Sequence, residues 1–193
     1  MPGKDKAGGQ TPAAQKQTAA TEKPQEITEE IRVSVRELVE FILRSGDIDN
    51  RHHASPEQAM QEGGRIHRMI QRRMGSEYQA EVSLRYIHPT ADYRLVLEGR
   101  ADGVIHKPEG VTIDEIKGTY RELAYMNGPV QVHLAQAKVY AAMYLHSFRD
   151  RGLSEIHVQM TYCHMETEEI RYFHYSYAVQ EIQQWFGELI RSY

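Results

Sequence analysis

The sequence predicts an α/β sandwich, a central mixed sheet flanked by helices. Three observations predict it. Residues 78–118 hold three consecutive strand-like runs separated by short turns, the pattern of antiparallel strands. A long apolar-striped helix follows over residues 129–149. Two further strand-like runs, 156–163 and 170–175, come after that helix, which then serves as the crossover that makes a later strand parallel to an earlier one.

The elements follow in order. Residues 1–28 are mostly Gly, Ala, Gln, Thr, Lys and Pro. They carry too little apolar surface to offset ordering entropy and are expected to form a disordered tail ahead of a domain over 29–193. Ser34-Val35-Arg36-Glu37 is a capping box opening a helix with Leu38, Val39, Ile42 and Leu43 on one stripe, and Gly46 lies past its end. Ser55-Pro56 opens a second helix, with Pro at the first helical position. Its inward positions are Ala59, Gly63, Ile66, Ile70 and Met74, and His67 falls on that same edge.

Residues 78–86 alternate Tyr, Ala, Val, Leu, Tyr against Gln, Glu, Ser, Arg, a half-buried strand with Glu81 on its polar face, within reach of the site but read first as solvated. Residues 93–106 form a long strand whose Gly99 and Gly103 bracket Asp102 and imply close backbone approach there. Lys107-Pro108-Glu109-Gly110 is a turn, and 111–118 is the next strand. In the helix over 129–149, Gln136 and Tyr140 are four apart and share a face. Val179, Ile182, Trp185, Phe186, Leu189 and Ile190 recur at helical spacing in a last helix docked on the sheet.

Composition narrows the function classes. The 193 residues carry a net charge of −4, which is not that of a strongly basic, independent nucleic-acid binder. Arg65, Arg68, Arg72 and Arg73 offer a local basic patch, or simply a solvated helix face. No apolar run approaches the roughly 18 residues of a membrane span, and the N-terminus lacks a signal peptide's apolar core. The single cysteine, Cys163, excludes an intrachain disulfide and any four-cysteine cluster. The expected compartment is the cytoplasm. Ten histidines are scattered without paired ligand spacing, which argues against a histidine-rich metal-binding protein unrelated to nucleic acid.

The chemistry concentrates in three stretches: Gly99-Arg100-Ala101-Asp102-Gly103, Ile113-Asp114-Glu115-Ile116-Lys117, and Gln136-Ala137-Lys138-Val139-Tyr140. Glu115 and Lys117 are two apart and project from one face of a strand, whereas Asp114 projects from the other. Asp102 and Glu115 sit on adjacent antiparallel strands, near enough to share one ion. Carboxylate oxygens suit a hard divalent cation, and phosphodiester hydrolysis needs such a cation plus a positive group near the attacking water.

This order of motifs resembles the PD-(D/E)XK nuclease superfamily, and specifically its RecB-like branch, which adds a helical Gly-x-x-His, here Gly64-Arg65-Ile66-His67, and the Gln136-x-x-x-Tyr140 pair. The resemblance runs from about Ile31 to Tyr193. It implies a restriction-endonuclease-like fold and an Mg²⁺- or Mn²⁺-dependent deoxyribonuclease. Asp102, Glu115, His67 and the carbonyl of Ile116 would hold the ion. Lys117 would orient the attacking water, and Gln136 and Tyr140 would position the DNA backbone or help hold the site together. The imidazole would favour Mn²⁺ more than an all-oxygen site does. Some RecB-like nucleases carry an iron–sulfur cluster held by four cysteines, which this chain does not contain. Residues 33–41 and 44–49 resemble the start of bacterial repair proteins in which such a nuclease precedes a DinG/XPD-like helicase. That implies DNA, as single strands or ends, and a helicase in cis or trans as partners. No phosphate-binding Gly-x-x-x-x-Gly-Lys-Ser/Thr loop is present in this sequence. The competing reading is a nuclease-fold module that binds or scaffolds nucleic acid without cutting it.

Overall fold

The computed structural model describes residues 29–43, 56–148 and 152–193. The tail over 1–28, Gly46 and Ser55 lie outside the described residues.

The chain enters through β1 (Glu30–Ser34), then α1 (Val35–Ile42) and α2 (Pro56–Arg72). Three strands follow, β2 (Tyr78–Pro89), β3 (Arg94–Lys107) and β4 (Gly110–Thr119). A 3-10 turn (Leu123–Tyr125) leads to α3 (Gln131–Ser147), and the chain closes with β5 (Glu155–His164), β6 (Ile170–Ala178) and α4 (Val179–Ser192). The expected α/β sandwich is present: one six-stranded mixed sheet with the four helices around it. β2–β3, β3–β4 and β5–β6 are antiparallel, and the α3 crossover makes β5 parallel to β4, as the order of elements predicts.

β1 is an addition to the sequence reading. Its five residues pair in parallel with Arg94 to Glu98 of β3 and bury only Val33 fully. The capping box begins at its last residue. Ser34 Oγ accepts from the Glu37 amide at 3.1 Å, and the Ser34 amide donates to Glu37 Oε2 at 2.9 Å. That reciprocal cap satisfies two backbone donors and fixes the turn from strand to helix.

Two apolar clusters fill the sandwich. The larger joins α1, α3 and α4 to one sheet face through Leu38, Val39, Leu97, Ile113, Tyr144, Val158, Met160 and Ile182, all at most 1% exposed. The smaller lies on the opposite face, where Ile66 and Ile70 of α2 seat on Ile116 and Cys163. Pinning α2 to β4 in this way sets the position of His67.

Candidate metal centre

The site follows from the strand pairing. β2 runs along one edge of β3, pairing residues 78–89 with 94–105. A strand has only two edges, so β1 and β4 must share the other. β1 occupies it at Arg94–Glu98, and β4 occupies it from Gly103 to Lys107. Residues 99–102 fall in the gap between them, a fork in the sheet with Asp102 at its lip. The β3–β4 ladder ends at Gly103–Asp114, one pair before Asp102 would meet Glu115. Asp102 compensates with its side chain, Oδ2 accepting from the Ile116 amide at 2.8 Å.

Glu115 and Lys117 share a face of β4, as their spacing requires, and Lys117 Nζ lies 2.6 Å from Glu115 Oε1. Glu115 is 1% exposed, and its second oxygen, Oε2, is buried with no hydrogen-bond partner. Burial raises the Glu115 carboxyl above the ordinary range, the Lys117 charge opposes that, and the Asp102 charge adds to it. A buried carboxylate oxygen with nothing to bind is costly unless a cation or proton meets it.

His67 spans the fork from the other side. Its Nε2 is 3.1 Å from the Ile116 carbonyl oxygen and its Nδ1 is 3.3 Å from Asp102 Oδ1. Both ring nitrogens face acceptors, which suits an imidazolium. Burial works against that charge, but the Asp102 contact outweighs it and the pKa is raised. The ring thus touches two of the groups expected to hold the ion, Asp102 and the Ile116 carbonyl.

Glu81 joins this cluster while its side chain stays 38% exposed to solvent. Its position faces Asp102 across the β2–β3 ladder, which is interrupted there, and its backbone has φ +57°. A glutamate in that region is rare and costs of order 1 kcal/mol or more. The ligand atoms of His67, Glu81 and Asp102 all lie within 4.8 Å of one another. Gln71 Nε2 ties the group together, donating to Glu81 Oε1 at 2.9 Å and to the Asp102 carbonyl at 3.0 Å. Arg100 Nε holds the other Glu81 oxygen at 2.6 Å. These residues line a cleft of about 480 Å³ together with Gly64 and Arg68. Glu115 is outside the three-residue group, on the Lys117 side of the fork. One imidazole and two clustered carboxylates make a donor set that fits a divalent cation.

Gln136 and Tyr140 reach the fork from α3. Tyr140 is 5% exposed, so it faces the protein interior rather than an open surface. Its ring passes over Gly99, where a Cβ would stand 2.7 Å from Cε1. Burial and the Glu115 charge push its hydroxyl up to about 12, against hydrogen bonds with Gln136 and the Arg100 backbone. The close approach inferred from Gly99 and Gly103 is thus present. Gly103 makes room for Tyr78, whose hydroxyl donates to Asp114 at 3.0 Å. Asp114 lies on the opposite face from Glu115, fully buried, and also accepts from Thr161 and Gln159.

The basic patch on α2 is partly neutralised. Arg65 and Arg73 both reach Glu168 of the β5–β6 turn, at 2.6 and 3.6 Å, and Arg65 also donates to the Met165 carbonyl. Arg68 and Arg100 are the basic residues that line the cleft itself.

No family model and no curated protein matches this chain. Among solved structures, it is similar to SSO0001, with a TM-score of 0.53 at 16% identity, covering 86% of this chain and 77% of that one. At that identity the likeness is one of fold, and it accords with the restriction-endonuclease-like sandwich expected from the sequence. A "Putative exonuclease" from Eubacterium rectale superposes with a TM-score of 0.33 at 14% identity, over 70% of this chain and 52% of that one. That overlap is too loose to bear on function. No helix among the described residues is long and apolar enough to cross a membrane.

Proposed function

We propose that this protein is a divalent-metal-dependent nuclease of the PD-(D/E)XK type, RecB-like branch, hydrolysing phosphodiester bonds of DNA. One set of contacts supports the reading: Asp102 accepts from the Ile116 amide, His67 lies against Asp102 and the Ile116 carbonyl, and Lys117 pairs with Glu115.

A divalent ion bound here would lower the pKa of a bound water and neutralise charge developing on the phosphate. The chain's own residues prepare for both. Asp102 and Glu81 present carboxylate oxygens, while His67 offers a nitrogen once it releases a proton. Glu115 contributes its unpaired oxygen. Lys117, held by Glu115, would supply the positive charge for the attacking oxygen and the phosphate. Tyr140, braced by Gln136, supports the Glu115 side of the fork and remains a protonated donor at any working pH.

With a net charge of −4, the protein gains little from bulk attraction to DNA. A helicase domain, joined or bound, that delivers single strands or ends in DNA repair fits that weakness. The test is incubation of labelled single- and double-stranded DNA with Mn²⁺, Mg²⁺ or chelator. Metal-dependent cleavage supports the reading, and binding without cleavage under every metal favours the scaffold.

A further inference from the structure

His133 takes no part in the reading above, yet its surroundings are specific. It opens α3 on the same face as Gln136 and Tyr140, three and seven residues ahead of them. The amide of Val130, the residue before the helix, donates to the Tyr162 hydroxyl oxygen at 3.0 Å. Tyr162 is 1% exposed, so its own proton needs an acceptor inside the protein. The acceptor present is His133 Nδ1, at 3.0 Å. Nδ1 is therefore the bare nitrogen, and the ring proton sits on Nε2. That N–H has no protein partner among the described residues.

Lys117 stands beside this ring, because it pairs with Tyr162 across the β4–β5 ladder and the ring rests on the Tyr162 hydroxyl; the charges of Arg121 and of Arg36, which pairs with Glu40, also act on it. Burial and these three charges push the ring's pKa down to about 3, so it stays a neutral donor under working conditions. A neutral N–H without a partner, among cations and beside the fork, suits an anionic oxygen and repels a metal ion.

We propose that His133, beside Lys117, forms a subsite for a backbone phosphate of the bound strand, next to the phosphate that is cut. In it the Tyr162 hydroxyl is a positioning group, because it fixes which ring nitrogen donates. The proposal rests on the nuclease reading and adds a contact on the α3 side of the cleft.

The test uses the full chain and a labelled single-stranded oligonucleotide, with binding measured in chelator and single-turnover cleavage in Mn²⁺. His133→Phe keeps a ring but no donor and should weaken binding by about 10- to 100-fold, the scale of one hydrogen bond to a charged group. His133→Gln can place an amide N–H near the Nε2 position and should remain within about threefold of wild type. Nitrogen-15 NMR of the unaltered protein supplies a readout independent of folding defects. Nε2 should be the protonated nitrogen, and its resonance should move when the oligonucleotide is added. Normal binding and cleavage by His133→Phe, or a proton on Nδ1, overturns this inference and leaves the nuclease reading standing. Wild-type protein that neither binds nor cuts nucleic acid overturns both.

Discussion

Gly99→Ala tests how the fork is built. A Cβ at Gly99 would stand 2.7 Å from Tyr140 Cε1, 2.8 Å from its hydroxyl oxygen and 2.9 Å from Val35 Cγ2. Carbon atoms in comfortable contact are about 3.5–4.0 Å apart, so the methyl overlaps two neighbours at once. Neither can swing away into solvent, since Tyr140 is 5% exposed and Val35 is 0% exposed. Overpacking of this kind costs about 1–3 kcal/mol. For a domain of this size that lowers the melting midpoint by roughly 2–12 °C. Activity should fall further than stability. The strain is relieved by moving Tyr140, which shifts its hydroxyl off Gln136 and the Arg100 backbone, and a displacement of about 1 Å near the chemistry can cost up to about 10²-fold in rate. Thermal unfolding in chelator and single-turnover cleavage in Mn²⁺ measure the two effects. Adding Tyr140→Ala should return part of the lost stability, a non-additive pair. Gly128→Ala, with nothing within 4 Å of its added methyl, is the control. Wild-type melting and rate in Gly99→Ala would refute the placement of Tyr140 over the fork.

Three further outcomes are expected. Glu81→Asn should leave the melting midpoint unchanged or raise it, because Asn tolerates the φ of +57° better than Glu, and should weaken Mn²⁺ binding in calorimetry; unchanged affinity would remove Glu81 from the centre. Metal binding should release protons and tighten as pH rises, because Glu115 and His67 both hold protons above their ordinary pKa values in the metal-free fold; calorimetry in buffers of different ionisation enthalpy counts them, and a pH-independent affinity contradicts the account. The same shift of Glu115 bears on stability: its folded pKa lies above the unfolded value, so the metal-free protein should lose stability as pH climbs from about 4.5 through the folded pKa, and Glu115→Gln should flatten that loss in melting curves taken in chelator.

Much of the fold was legible because its signals are local. Alternation in β2, the glycines of β3, the turn at Lys107–Gly110 and the apolar content of α3 each declare themselves within a dozen residues, although α3 has no single stripe and is buried on all sides from Val139 to Leu145. The spacing put Glu115 and Lys117 on one face of β4 for the same reason. What stayed hidden depends on distant partners. β1 has five residues and one fully buried side chain, and the capping box at its end masks it as part of a helix entry. Glu81 reads as an ordinary polar-face residue; only its register against Asp102 and its left-handed backbone turn it to the cleft. Arg65 looks free in sequence, and its partner Glu168 is 103 residues away. Tyr140 shares a helix face with Gln136 as the spacing says, but its burial is set by the missing side chain at Gly99.

The most direct measurement is single-turnover cleavage of a labelled single-stranded oligonucleotide in Mn²⁺ by the wild type, Asp102→Asn, Glu115→Gln and Lys117→Ala, with Mn²⁺ affinity measured in parallel. The wild type should cleave, chelator should abolish that cleavage, and neither carboxylate variant should cleave. Lys117→Ala should still bind Mn²⁺ but cut about 10²–10³-fold more slowly, the scale of one lost electrostatic stabiliser. Wild-type protein that binds the oligonucleotide yet cuts nothing with any divalent ion, or Lys117→Ala cutting at the wild-type rate, would contradict this mechanism.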